Sequence, residues 1–497
     1  MNDTAYTGTL YALAEPKQFT ITLNYNETSQ LVLSVTNAAT TSVYAYYNEK
    51  PETISVMPNS KYYKPLSYQA SGSTAKFSFT ANGTASGYYN VVGNSTVSCQ
   101  WTKKYADYNY VYDVTTLSSI RKNPSAKYLL LCDIDLNGAE WTPIDTFSGT
   151  LDGDGHSIHS FSIVDSDVKT EKNVGFFRTN DGTIKNLTIG TNTKNLSDFS
   201  GHSVSIVSKV NEASSESVHS LGAIVGNNRG TIYHCFVDNV LVNGELYDRN
   251  NNDSAFCKVG GVAGSNFGTI ERCSVESSTV ISYVTAKKDS GDNNYAYAGG
   301  ITGYNESTGI FEDGKLINGV VKDCVSFNNK LIRADARGDG DGDNDAYPQA
   351  VCGGLVGDSR HGGVYNSAAY GNVVEASAST GGNTFPLVLK GLFIGATKET
   401  FANTKGKEVV IFNGKTTKNY YGTLLGDSLY TGVVLNPNSE ITVPSLVVFK
   451  VLSYYMTNGY VNRPEDDNFR SITNPTDFQF YLNTEYWNFV DGYPTLK

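Results

Sequence analysis

The sequence predicts an all-β protein: an N-terminal β-sandwich over residues 1–105, then a right-handed parallel β-solenoid over residues 106–497. Three observations predict it. First, the chain repeats itself. Val259 to Val275 reads VGGVAGSNFGTIERCSV, and Leu221 to Val237, 38 residues earlier, reads LGAIVGNNRGTIYHCFV with no gap between the two. Second, the apolar runs are short and bounded by glycine, which suits strands of about 4–8 residues rather than helices. Third, 48 Gly, 34 Tyr and 22 Phe stand against only 3 Met, a β-rich and turn-rich composition. A unit recurring at this period cannot bury its own apolar face, so its copies must stack. Handedness follows from the rule for parallel crossovers.

Residues 1–105 carry no repeat. Phe19–Leu23, Leu31–Val35 and parts of Lys76–Thr80 alternate, with turn clusters at Asn37–Thr41, Pro58–Lys61 and Ala81–Gly87 between them. Short alternating strands at that spacing predict the antiparallel sandwich. Tyr62, Tyr63, Tyr88 and Tyr89 serve either as exposed contacts or as core. Trp101–Tyr112 forms the seam. Val114, Leu117 and Ile120 are spaced for one face of a short helix that Asn123-Pro124 ends. Such a helix would cover the open edge of the first coil. Tyr128–Ile134 reads as the first long strand, and Asp152-Gly153-Asp154-Gly155 as a tight turn.

The repeats follow. Val174–Ile189 is a shorter copy with Leu187 in the cysteine place, and further copies begin at Ala298 and Cys352. The closing glycines Gly226, Gly264, Gly303, Gly357, Gly395 and Gly426 are 38, 39, 54, 38 and 31 residues apart. Within a copy, Asn266 and Gly268 predict a turn that uses the left-handed region. Ile270, Cys273 and Val275 break the strand parity, as a corner between two strands would. Gly260-Gly261, Gly299-Gly300 and Gly353-Gly354 fit a crowded corner. Parallel stacking at about 4.8 Å would line up Cys235, Cys273 and Cys324 as one buried, reduced column. No Cys-x-x-Cys pair argues for metal or redox chemistry.

The pattern G-G-x-x-G-x-N-x-G-x-I-x-x-C resembles the GLUG repeat, found in bacterial surface proteins and in non-catalytic parts of IgA-protease-type metallopeptidases. Tyr128–Ile163 is similar to the segment that usually opens such arrays. Trp487-Asn488-Phe489 with Gly492–Lys497 is similar to their closing phrase. The resemblance covers roughly Tyr112 to Lys497; Ser367 stands in the cysteine place of the fourth copy, and the pattern fades after Tyr370. It implies an extracellular or cell-surface protein without implying one activity. MNDTAYTG is polar from the start and carries no signal peptide, so the resemblance implies an export signal removed ahead of Met1, a cytoplasmic protein being the alternative.

Composition narrows the function classes. A net charge of −11 with no basic stripe argues against nucleic acid. No run of 18 apolar residues exists to span a membrane. The six histidines (His156, His159, His202, His219, His234 and His361) open no His-Glu-x-x-His, so zinc peptidase chemistry has no residues here. A carbohydrate-active enzyme, a polysaccharide lyase or glycoside hydrolase, would have to use Asp152, Asp154 and His156 as its acid and base.

The insertions Asp248–Asp253, Asp289–Asn294 and Asp335–Asp345 are acidic and fall just ahead of the glycine pairs, so stacking should bring them to one edge. Asp339, Asp341, Asp343 and Asp345 match the alternate spacing of a calcium loop. Asn344 and Ala350 stand where an EF-hand needs glycine and glutamate, so the expectation is a looser calcium cage. Arg337-Gly338-Asp339 spells an integrin-type tripeptide, which a loop rich in Gly and Asp produces by chance. The expected function is a non-enzymatic surface or secreted binding protein, an adhesin or binder of host or microbial surface glycan or protein. The alternatives are the carbohydrate-active enzyme using Asp152, Asp154 and His156, and then a structural stalk or filament subunit.

Overall fold

The computed structural model describes residues 18–25, 42–46, 61–71, 76–79, 85–88, 95–165, 172–190, 202–210, 217–248, 254–287, 293–312, 315–339, 347–359, 362–365 and 367–380, with separate strands between 387 and 496. The chain divides into two compact units, Met1–Tyr108 and Asn109–Lys497. In the first, Gln18–Tyr25 pairs antiparallel with Ser42–Tyr46 and parallel with Ser95–Lys103. Tyr63–Ser71 completes that sheet antiparallel, and Lys76–Phe79 forms a hairpin with Ala85–Tyr88. Tyr62 is buried, a core residue rather than a contact.

The second unit is the parallel solenoid. One coil shows its plan. Ala255–Gly260 makes the first face, Ala263–Asn266 the second, Thr269–Glu271 the third, Ser274–Glu276 the fourth, and the long Thr279–Lys287 the fifth. Each strand pairs in parallel with its equivalents in the coils before and after. Every face therefore presents columns of equivalent residues about 4.8 Å apart.

The inner columns are apolar. Leu151, Ile184, Ile232, Ile270 and Val321 line the third face, each essentially unexposed. Each such side chain contributes about 2 kcal/mol by leaving water. Cys235, Cys273 and Cys324 are buried and free, as the parity break requires. Cys273 N–H donates to Cys324 Sγ at 3.5 Å, and Cys324 N–H donates to Ser367 Oγ at 3.0 Å. Ser367 therefore does the work of the missing cysteine.

The corners differ from expectation. Among the described glycines only Gly138, Gly155, Gly190 and Gly371 take positive φ. Gly268 does not; it is there because a Cβ would lie 2.1 Å from the carbonyl oxygen of Gly230 in the preceding coil. The left-handed residues instead sit just before the cysteine column: Asn186, His234, Arg272 and Asp323, with φ between 51° and 54°. A second set, Asn239, Ser277 and Asn328, turns the chain into the fifth face. Asn, Asp and His are the non-glycine residues that tolerate this region best. The paired glycines do mark crowding, since a Cβ on Gly261 would meet Gly300 O at 2.2 Å.

The N-terminal end of the stack is plugged. Asp113 caps the helix Val114–Ser118 by accepting from Thr116 N–H, and a 3-10 turn, Ser119–Lys122, continues it. Leu117 and Ile120 join the solenoid core, whereas Val114 is 40% exposed and leaves the predicted face. The short helix turns away before that side chain can reach the core. Trp141, Phe147, Phe161, Phe176 and Phe177 fill the space beneath. The predicted strand Tyr128–Ile134 is two strands, Lys127–Leu130 and Ile134–Glu140, broken where the chain turns a corner. Trp487–Val490 and Tyr493–Leu496 pair as an antiparallel hairpin.

Candidate functional site

Asp152, Asp154 and His156 lie together at the turn between the third and fourth faces. Asp152 Oδ1 accepts from Asp154 N–H at 3.0 Å and from Asn186 Nδ2 at 2.9 Å, and Lys185 Nζ lies 3.0 Å from its Oδ2. Asp154 and Gly155 reverse the chain at φ 50° and 87°. His156 Nδ1 is 3.5 Å from Asp133 Oδ1. Burial of Asp133 opposes its ionisation, but hydrogen bonds from Ser157 and the charge of His156 outweigh it and hold its carboxyl below the ordinary range. The first contact closes the turn on itself, and the others tie it to the neighbouring coils.

The calcium set falls elsewhere. Asp339 ends the strand Leu331–Asp339, while Asp341, Asp343 and Asp345 lie outside the described residues, as do the tips of the other acidic insertions. The strands leading into these loops do stack: Lys287 pairs with Asp339, and Asn293 with Tyr347. The register thus aligns the strand ends that flank these loops. Arg337 lies within that strand and donates to Asp335 through Nε and Nη2, so the tripeptide is strand rather than loop tip. Among the described residues no group of three or more His, Cys, Asp or Glu is arranged to hold a metal.

Sequence reasoning missed three arrangements. The first is an amide ladder: Asn180 Nδ2 donates to Asn228 Oδ1 at 2.8 Å, Asn228 to Asn266 at 2.8 Å, Asn266 to Asn305 at 2.9 Å, and Asn305 to Ser359 Oγ at 3.1 Å. These asparagines are fully buried and serve two purposes: they bond across the turn, Asn180 Oδ1 accepting from Gly182 N–H at 3.1 Å and Asn228 Nδ2 donating to Gly230 O at 3.3 Å, and they stack from coil to coil. The second is an acid pair. Asp238 and Glu276 occupy one outer column of the fourth face. Burial, opposed by the nearby Lys330, pushes Asp238 up to about 6. Burial and the neighbouring Asp238 push Glu276 up to about 7. Their matched places 38 residues apart, FVD and SVE, were the available signal. The third is the outer side of the fifth face, where tyrosines and arginines from successive coils meet.

No protein-family model matches the chain. Halomucin of Haloquadratum walsbyi is 33% identical over 130 residues, which is 22% of this chain and 1% of that protein. A provisionally named immunoglobulin A1 protease from Bacteroides ovatus has 17% identity and a TM-score of 0.25, over 58% of this chain and 83% of that one. A structure of an IgA1 protease has 12% identity and a TM-score of 0.22, over 90% of this chain and 34% of that one. Likeness of that degree assigns no family. No helix among the described residues is long and apolar enough to cross a membrane.

Proposed function

We propose that the chain is a non-enzymatic binding protein of a bacterial surface or secretion, an adhesin or glycan binder whose solenoid is the platform. The observation that carries this is the use made of the wall's polar groups. The asparagine ladder and the turn at Asp152 spend their hydrogen bonds coil to coil, which suits rigidity rather than chemistry. The resemblance of the repeats to GLUG repeats supports a surface location. A second reading, cleavage of a carbohydrate, has one observation in its favour: raised, half-buried carboxyls at Asp238 and Glu276 are what a general acid needs.

One experiment addresses both. The full chain is screened on a panel of glycans and surface proteins, with calcium or chelator, and each glycan is afterwards assayed for new reducing ends or unsaturated ends. Retention of a glycan or protein without cleavage is expected. Cleavage that Glu276→Gln abolishes would replace the binding reading with the enzymatic one.

A further inference from the structure

On the outer side of the fifth face, Lys209, Glu245, Tyr283 and Asp335 form one column from four successive coils. Tyr247 and Arg337 stand in the next column, and Arg333 with Glu375 on the other side. Asp335 is 4% exposed, although it is charged. It accepts from Arg333 Nη2 at 3.1 Å and from Arg337 Nη2 at 3.2 Å and Nε at 3.4 Å. A sunken carboxylate between two guanidiniums holds both heads in place, so ordering them on binding costs little. Lys209 and Glu245 pair at 3.3 Å, and Arg333 reaches Glu375 at 3.8 Å.

The vertical order of charge is regular. The side chains of Arg337, Lys209 and Arg333 are 52%, 41% and 38% exposed, those of Glu245, Glu375 and Asp335 only 30%, 25% and 6%. Donors therefore face outward above their own counter-charges. Among them stand the half-buried rings of Tyr247 and Tyr283, 6.1 Å apart and tilted by 52°. Lys209 lies 4.8 Å from the first ring centre and Arg337 5.1 Å from the second.

We propose that this face binds a neutral polysaccharide strand laid across the coils. The proposal rests on the glycan-binding reading and gives it a site and a ligand class. A sugar ring offers an apolar C–H face to a tyrosine and hydroxyl acceptors to guanidinium and ammonium N–H groups. Successive coils repeat such groups about every 4.8 Å, close to the length of one hexose in an extended chain. Charge decides the rest. Three cations and three carboxylates cancel within the patch, and the whole chain carries −11, so an acidic polymer gains nothing here and is repelled at range. A cationic partner meets guanidinium heads first.

The test is affinity electrophoresis of the full chain in native gels containing xyloglucan, galactomannan, dextran or polygalacturonate. Retardation by at least one neutral polymer and none by polygalacturonate is expected. Tyr283→Ala, Tyr247→Ala and the exposed Arg337→Met should each weaken that retardation by about tenfold in apparent Kd, each variant being referred to its own migration in empty gels. The two tyrosine variants should keep the parent's melting temperature and empty-gel migration, whereas Arg337→Met, which removes one positive charge and one partner of Asp335, should run slightly faster and melt somewhat lower. Tyr283→Phe, which keeps the ring, should retain most of it. A parent retarded only by polygalacturonate overturns the neutral class. A neutral polymer that retards the parent and all three variants alike overturns the site while leaving glycan binding intact. A parent that none of the polymers retards sinks the proposal, and an empty glycan panel as well would sink the reading beneath it.

Discussion

Asn180, Asn228, Asn266 and Asn305 stack in one column, Asp238 and Glu276 in another, and the same parallel register builds both. An amide carries a donor and an acceptor, so identical neighbours satisfy one another and each added coil extends the chain of bonds. A carboxylate carries only acceptors. Burial raises both carboxyls, and at Glu276 the neighbouring Asp238 adds repulsion to that burial, so stacking brings no bond to offset the cost. Parallel stacking thus rewards side chains that complement themselves and penalises those that do not. The fifth face avoids the penalty by alternating sign, as Lys209 over Glu245 illustrates.

The strongest way to break the comparison is to remove the close approach that sets both columns in register. Gly268→Val places a Cβ against Gly230 O, so unfolding in urea should show a loss of about 4 kcal/mol. A loss within error would mean the coils can separate there without cost. Cutting the amide ladder comes next. Asn266→Ala leaves the Asn228 amide only its longer contacts to Gly230 O and Thr269 O, at 3.3 and 3.4 Å, and takes from Asn305 Oδ1 its Asn266 donor. About 2 kcal/mol should be lost in the same assay, because the short bond to Asn228 goes and a buried carbonyl oxygen of Asn305 loses its donor.

The acid pair should give the smallest effect, and one of defined sign. Both folded carboxyls titrate above their ordinary values, so the folded chain keeps protons that the unfolded chain releases. Their contribution is therefore full below 3.8 and 4.5 and is lost as pH rises through about 6 and about 7. Solvent screening of these half-buried groups keeps the change to about 1 kcal/mol. Melting curves from pH 4 to pH 8 should fall over that window for the parent and flatten for Asp238→Asn. A parent whose stability rises over the same window would contradict the pairing.

By itself, the sequence determined the solenoid, because the apolar spacing and the repeat period leave stacking as the one way to bury Ile232, Ile270 and Val321. It also determined the corner before Cys273, since a parity break is a property of neighbours along the chain. Only the tertiary structure decided what the polar motif residues do. Asn266 and Gly268 look like a turn when read along one coil; their partners, Asn228 and Gly230, lie 38 residues away and appear only when coils are laid side by side. For the same reason the outer face of Tyr247, Tyr283, Asp335 and Arg337 was not legible. Its members come from three coils, and their meeting depends on inter-strand register, which local spacing does not encode.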